Sequence, residues 1–238
     1  MRSREQGHTR HSGHFHERAF SLVFFSFALP FSARNRGARP LFLFLSDNGG
    51  CAETLREDAA RVRALGPETT HDGKEVKYGN FTGRMPGPPD TYQSYGVNWA
   101  NLSNTPFRLY KHYVHEGGIA TPFIMHWPDH IRQPGSLYRE PAHIIDIMPT
   151  LAEVADAEYP DRRNNHNILP PEGTSLLPAL KGEPIERTKP LFWEHETNKA
   201  IRQGKWKLVA KWNGEWELYN IEKDRSELNN LADQYPER

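Results

Sequence analysis

One cysteine, Cys51, is all that 238 residues provide. That excludes an intrachain disulfide framework and any zinc cluster built on several thiolates, while leaving the redox compartment open. Net charge is equally scarce, because 30 basic residues balance 30 acidic ones. No surplus of one sign points to nucleic acid or to an anionic membrane as partner, and neither is expected. Nor is a membrane span expected. The apolar run from Ala19 to Phe31 is about a dozen residues, short of the roughly 20 a membrane-spanning helix needs. It follows a basic leader and precedes Ser32-Ala33, in imitation of a secretory signal, but the leader is long and the small-residue cleavage pattern is poor. An apolar segment that packs, or a non-native start, is the expected reading.

The remainder is ordinary for a globular protein, with 37% apolar and 25% charged residues. Proline (19) and glycine (18) are near average usage, clustered after residue 80, which suggests long loops on a scaffold. Residues 1–18 hold four histidines and several arginines without helical or strand period, and disorder is expected there.

Chemistry gathers first at 41–50. Leu41-Phe42-Leu43-Phe44-Leu45 runs straight into Ser46-Asp47-Asn48-Gly49-Gly50. A continuous apolar run suits a strand buried on both faces, as in a parallel sheet covered by helices. In such sheets ligands gather beyond the carboxyl ends of the strands, where Asp47 and Asn48 would sit. Their hard oxygen atoms suit Ca2+ or Mg2+. Equally, Asx followed by glycine is common turn chemistry, and the residues alone leave both readings open.

Glu53 to Leu65 has helical spacing and ends at Gly66-Pro67. Residues 67–95 are polar, glycine- and proline-rich and aperiodic, a long loop that Tyr92, Tyr95, Trp99 and Phe107 are expected to pin to the core. A second polar stretch, Asn104 to Gly118, precedes a strand expected within Ile119–Pro128. Arg108, Lys111, His112, His115 and Glu116 place cations beside a glycine turn, equipment for holding an anionic oxygen, with Lys111 as a compact point charge. His112 and His115 lack a metal spacing of their own and stay outside the expected site.

Ala142 to Ala155 predicts a core helix interrupted at Pro149, and Leu176–Leu180 a short helical turn. Pro190 to His195 repeats the design of the opening strand, so His195 and Glu196 are expected at the same rim. Beyond it, 199–202, 206–211 and 216–220 alternate as strands of an antiparallel meander joined by glycine turns, followed by a turn and short helix over 222–233.

Together these motifs resemble the type I sulfatases of the alkaline phosphatase superfamily, most closely the bacterial arylsulfatases, over residues 41–238. Ser46-Asp47-Asn48-Gly49-Gly50 resembles that family's metal-binding strand end, which implies Ca2+ ligands at Asp47 and Asn48. Lys111 stands five residues before Glu116-Gly117-Gly118 and ahead of Pro122, matching a Lys-x4-Glu-Gly-Gly-x3-Pro element whose lysine contacts the sulfate ester. Phe192-Trp193-Glu194-His195-Glu196 and Arg202–Leu208 resemble the late strand and four-stranded C-terminal subdomain, with His195 taken as a substrate contact. The resemblance implies an α/β fold, part of a mainly parallel sheet flanked by helices, with a small antiparallel subdomain. Residues 1–40 are expected to be a disordered or non-native extension, 41–188 the C-terminal part of the catalytic domain, and 189–238 the last core strand and the subdomain.

The implied activity is Ca2+-dependent hydrolysis of a small-molecule or glycan sulfate ester, periplasmic or secreted by family habit. One family element is missing. No Cys/Ser-x-Pro-x-Arg stretch, the source of the formylglycine nucleophile, occurs in the sequence, nor does the early Asp-Asp pair that completes the calcium site. The chain therefore resembles the C-terminal half of such an enzyme and is expected to be inactive alone. Two rivals stand beside this reading: a non-catalytic remnant that binds sulfated glycans, and a phosphatase or phosphonate hydrolase of the same superfamily.

Overall fold

A computed structural model describes residues 40–56, 63–64, 66–81, 83–94, 96–128 and 130–238, and the backbone of 23–27. The expectations for residues 1–18, for the rest of the 19–31 run and for most of the 53–65 helix lie outside the described residues; 53–56 take no regular structure. In chain order the elements are strands β1 (Val23–Phe27), β2 (Leu41–Leu45), β3 (Lys77–Tyr78) and β4 (Thr91–Tyr92), then helices α1 (Gly96–Asn104) and α2 (Glu116–Ile119). Strand β5 (Phe123–His126), helix α3 (Ile147–Val154), strands β6 (Arg162–Arg163) and β7 (His166–Asn167) and helix α4 (Leu177–Leu180) follow. Strands β8 (Leu191–His195), β9 (Asn198–Gln203), β10 (Trp206–Ala210) and β11 (Glu217–Asn220) close the chain.

The apolar run does form a strand, but not the doubly covered parallel one its composition suggested. β2 lies between β1 and β5 and pairs antiparallel with both, Phe42 opposite His126 and Leu45 opposite Phe123. Leu41, Leu43 and Leu45 are buried while Phe42 is 43% exposed, so the strand has one closed face. A uniformly apolar run carries no period, and cannot announce which of its faces is covered. The leucine face packs with Trp127, Val154 and Leu180, bordered by Ile147, Leu151 and Leu177 of α3 and α4. Burying one such leucine contributes about 1.5–3 kcal/mol. The antiparallel return has a local cause. The chain is caught at the carboxyl end of β2, by Gly49 N–H to Gly118 O (2.9 Å) and Ser46 N–H to Pro122 O (3.1 Å), and re-enters the sheet heading back.

Helix α3 forms inside the expected 142–155 stretch but begins only at Ile147, after a 3-10 turn over Ile144–Asp146, and Pro149 does not interrupt it. Pro149 is its third residue, in the first turn, where the missing N–H costs no helical bond. Asp146, fully buried, anchors the region by accepting His143 N–H (2.7 Å), Thr174 N–H (2.8 Å) and the Arg187 guanidinium (2.6 and 3.1 Å).

The last four strands form one antiparallel sheet in the order β11-β10-β9-β8. The meander forms as expected, with Gly204 at positive φ (56°) between β9 and β10 and Asn213 likewise (55°) after β10. β8, expected to copy the design of the opening strand, instead pairs with β9, His195 opposite Asn198. The helix expected over 222–233 is reduced to a 3-10 turn at Ala232–Gln234. There the Asp224 carboxylate takes the N–H groups of Leu228 and Asn229 (2.8–3.1 Å), holding a turn in place of a helix. In the long loop, Tyr92 is pinned as expected, its ring 5.1 Å from that of Tyr78, whereas Trp99 is 61% exposed and pins nothing; Tyr95 lies outside the described residues. Trp99 belongs to α1, a helix the sequence did not signal because Ala100 is its one buried residue. Among the described residues no helix is long and apolar enough to cross a membrane.

Candidate functional site

Two glycine motifs meet backbone to backbone. A Cβ added at Gly49 would lie 1.8 Å from Gly117 O, and one at Gly118 would lie 1.8 Å from Tyr113 O. Only glycine permits this approach. It closes through Gly49 N–H to Gly118 O (2.9 Å) and Lys111 N–H to Gly50 O (3.1 Å). Asn104 staples the corner from the side, its amide accepting Gly50 N–H (2.9 Å) and donating to Leu109 O (3.0 Å). The segment bearing Lys111 is therefore tied to the strand end bearing Asp47 and Asn48, as sequence order alone could not show.

At that strand end Asp47 is exposed and Asn48 half-buried. Asp47 Oδ1 accepts Asn48 N–H (3.1 Å) and Ser46 Oγ donates to Asn48 O (3.1 Å), an Asx arrangement that leaves the second Asp47 oxygen and the Asn48 amide oxygen as hard donors at the surface. The turn reading is observed directly in these bonds. Lys111 is half-buried. Cys51 is half-buried too, Sγ 3.4 Å from Glu53 Oε2, and burial pushes its thiol up, the wrong direction for a nucleophile.

Beneath this corner lies a buried ionic network. Lys207, inaccessible to solvent, reaches Glu116 (3.0 Å) and Glu227 (2.8 Å), and Arg225 meets the other Glu116 oxygen (3.1 Å). Glu227 also accepts Glu116 N–H (2.8 Å), while Arg108 donates to Glu227 O (2.8 Å) and Tyr219 Oη (2.9 Å) and pairs with Glu217 (2.9 Å). Burial opposes ionisation of Glu116, but Lys207 and then Arg225 hold its carboxyl below the usual range. Burial wins at Glu227, whose carboxyl is raised despite Lys207. The network fastens the Glu-Gly-Gly segment to β10 and β11. Glu116 was legible as part of a motif. Lys207 was missed, although strand alternation puts it on the face of Val209, which is fully buried.

His115 is fully buried beside this network, Nε2 3.5 Å from Glu217, and neither ring nitrogen makes a hydrogen bond among the described residues. Desolvation lowers its pKa to about 4, with Glu217 opposing and Arg108 and Lys207 adding to the shift. His112, by contrast, is exposed, and its Nδ1 lies 2.7 Å from Glu196. His195 comes to the same place, its ring 5.9 Å from that of His112. Asn198, buried, donates to both His112 O (3.2 Å) and His195 O (3.0 Å) and so holds the two loops together. His195 thus arrives beside His112, the residue that follows Lys111 in the chain and that was left out of the expected site.

Known proteins resemble the chain over most of its length. The family model described as Sulfatase matches residues 34–157, and the one described as N-sulphoglucosamine sulphohydrolase, C-terminal, matches residues 107–237. An uncharacterized sulfatase of Schizosaccharomyces pombe is 30% identical over 203 residues, covering 82% of this chain and 35% of its own length. The choline-sulfatase of Rhizobium meliloti is 33% identical over 124 residues, 50% of this chain and 22% of its own. The crystal structure of Ps i-CgsB is 29% identical with a TM-score of 0.47, covering 56% of this chain and 29% of that one. The chain thus spans about a third or less of the length of these relatives.

Proposed function

The chain belongs to the sulfatase family, and from that premise we propose that Asp47, Asn48 and Lys111 form part of a site for a sulfate ester. The observation that carries this reading is the backbone docking of the Lys111 segment onto the Asp47–Asn48 strand end, Lys111 N–H to Gly50 O at 3.1 Å. Asp47 and Asn48 offer two surface oxygens of the hard kind Ca2+ takes, a fit in donor chemistry that supplies two of the six to eight ligands the ion uses. Bound there, Ca2+ would supply Lewis-acid charge for sulfate oxygens. Lys111 fixes a positive charge toward the ester, a stabilising term for charge that develops on oxygen. The rigid corner does the orienting: Gly49, Gly117 and Gly118 leave no slack between the two segments.

The substrate class is a sulfate ester of a small molecule or a glycan. The name of the choline-sulfatase relative supports the small-molecule side. With no Cys/Ser-x-Pro-x-Arg stretch in its 238 residues, this chain binds such esters without turning them over. The test is calorimetric titration of the full chain with a chromogenic aryl sulfate in Ca2+. Lys111→Ala is expected to weaken binding by about tenfold or more, the worth of a charged hydrogen bond. Unchanged affinity in that variant, or tighter binding of the matching aryl phosphate, would overturn the reading.

A further inference from the structure

We propose that His112, His195 and Glu196 form a binding site for a borderline divalent cation of the Zn2+ class, separate from the hard-oxygen ligands at Asp47 and Asn48. One ligand atom from each of the three lies within 4.8 Å of the other two, and among the described residues this is the one such grouping of three histidine, cysteine or carboxylate side chains. Two imidazoles and a carboxylate are a ligand set that Zn2+ uses when it keeps a position open for water or an anion. Ca2+, which takes oxygen ligands, is poorly served by it.

The grouping is assembled by backbone geometry. His112 has φ of +91°, and Glu196 and Thr197 have φ of +47° and +66°, conformations that side-chain-bearing residues adopt at a cost. Asn198 locks the two strained segments through its bonds to His112 O and His195 O. The three side chains themselves are exposed, so the remaining adjustment is side-chain rotation. Donor atoms around tetrahedral Zn2+ sit roughly 3.3 Å apart, as follows from metal–ligand distances near 2.0–2.1 Å. That separation lies between the 2.7 Å of the His112–Glu196 pair and the 4.8 Å span of the set. His112 follows Lys111 directly in the chain. This site stands whether or not the chain binds sulfate esters.

Equilibrium dialysis of the full chain against Zn2+ in millimolar Ca2+ tests it. Histidines elsewhere in the sequence also take up zinc, so the readout is the difference from His112→Asn/His195→Ala. The wild-type chain is expected to hold one more equivalent than this double variant. Co2+ in place of Zn2+ is expected to give a visible absorption band of four- or five-coordinate type that the variant lacks. Glu196→Gln, which preserves side-chain size, is expected to weaken the extra equivalent by about tenfold or more, and it carries the test should the double variant unfold. Equal zinc uptake and equal Co2+ spectra in the wild type, the double variant and Glu196→Gln would overturn the proposal.

Discussion

At the scale of single residues the corner depends on Gly49 and His115 for opposite reasons. Gly49 matters for what it lacks. A methyl group there would meet Gly117 O at 1.8 Å, and Gly49→Ala is expected to cost about 1–3 kcal/mol or more, as overpacking against backbone does, read as a lower urea midpoint with unchanged m-value. His115 matters for the proton it refuses. Its pKa is about 4 in the fold, held down mainly by burial, and near 6.5 in the unfolded chain. Above the unfolded value both states are neutral and nothing is lost. As pH falls from there toward 4, the unfolded chain takes up a proton that the folded chain does not, and stability falls, by about 3 kcal/mol in all at roughly 1.4 kcal/mol per unit. Urea titrations at pH 7 and pH 5 should show this loss in the wild type and a smaller one in His115→Gln. An equal loss in both would show that His115 does not titrate as its burial implies.

At the scale of elements, the sequence was most readable where side chains alternate or a turn residue is required. The β9–β10–β11 meander, with Gly204 and Asn213 at positive φ, was of this kind. It was least readable where composition is uniform, as in β2, or where the apolar residues stay exposed, as Val97, Trp99 and Leu102 do in α1, since neither carries a period to show which face is covered. The candidate residues could be named motif by motif, Asp47-Asn48, Lys111 and His195. Their assembly could not, because backbone contacts such as Gly49 on Gly117 and charges such as Lys207 depend on the tertiary neighbours of each strand. Lys207 joins the sheet to the Glu116 segment, and its removal leaves buried Glu227 without its cation and Glu116 with Arg225 alone. Lys207→Met is expected to cost about 3–5 kcal/mol. Lys207→Met/Glu227→Gln should lose less, because the raised Glu227 carboxyl then need not ionise while its amide oxygen still accepts Glu116 N–H. Chemical denaturation of both variants checks the order, and a double variant weaker than the single one would place the stabilisation elsewhere.

At the scale of the whole molecule, the antiparallel β2 sheet and the antiparallel β8–β11 sheet meet through one short segment, residues 104–122. That segment carries Lys111, hydrogen-bonds to the end of β2, and packs Val114, buried, and Ile119, partly buried, against the second sheet. The central claim is that the Asp47–Asn48 strand end and Lys111 work as one site. A double-mutant cycle on Ca2+-dependent affinity for an aryl sulfate tests it most directly, comparing the full wild-type chain with Asp47→Asn, Lys111→Ala and the double variant by calorimetry. Non-additive losses, with a coupling of about 0.5 kcal/mol or more, are the expected result for groups that share a ligand. Losses that simply add, or an affinity indifferent to both residues, would contradict it.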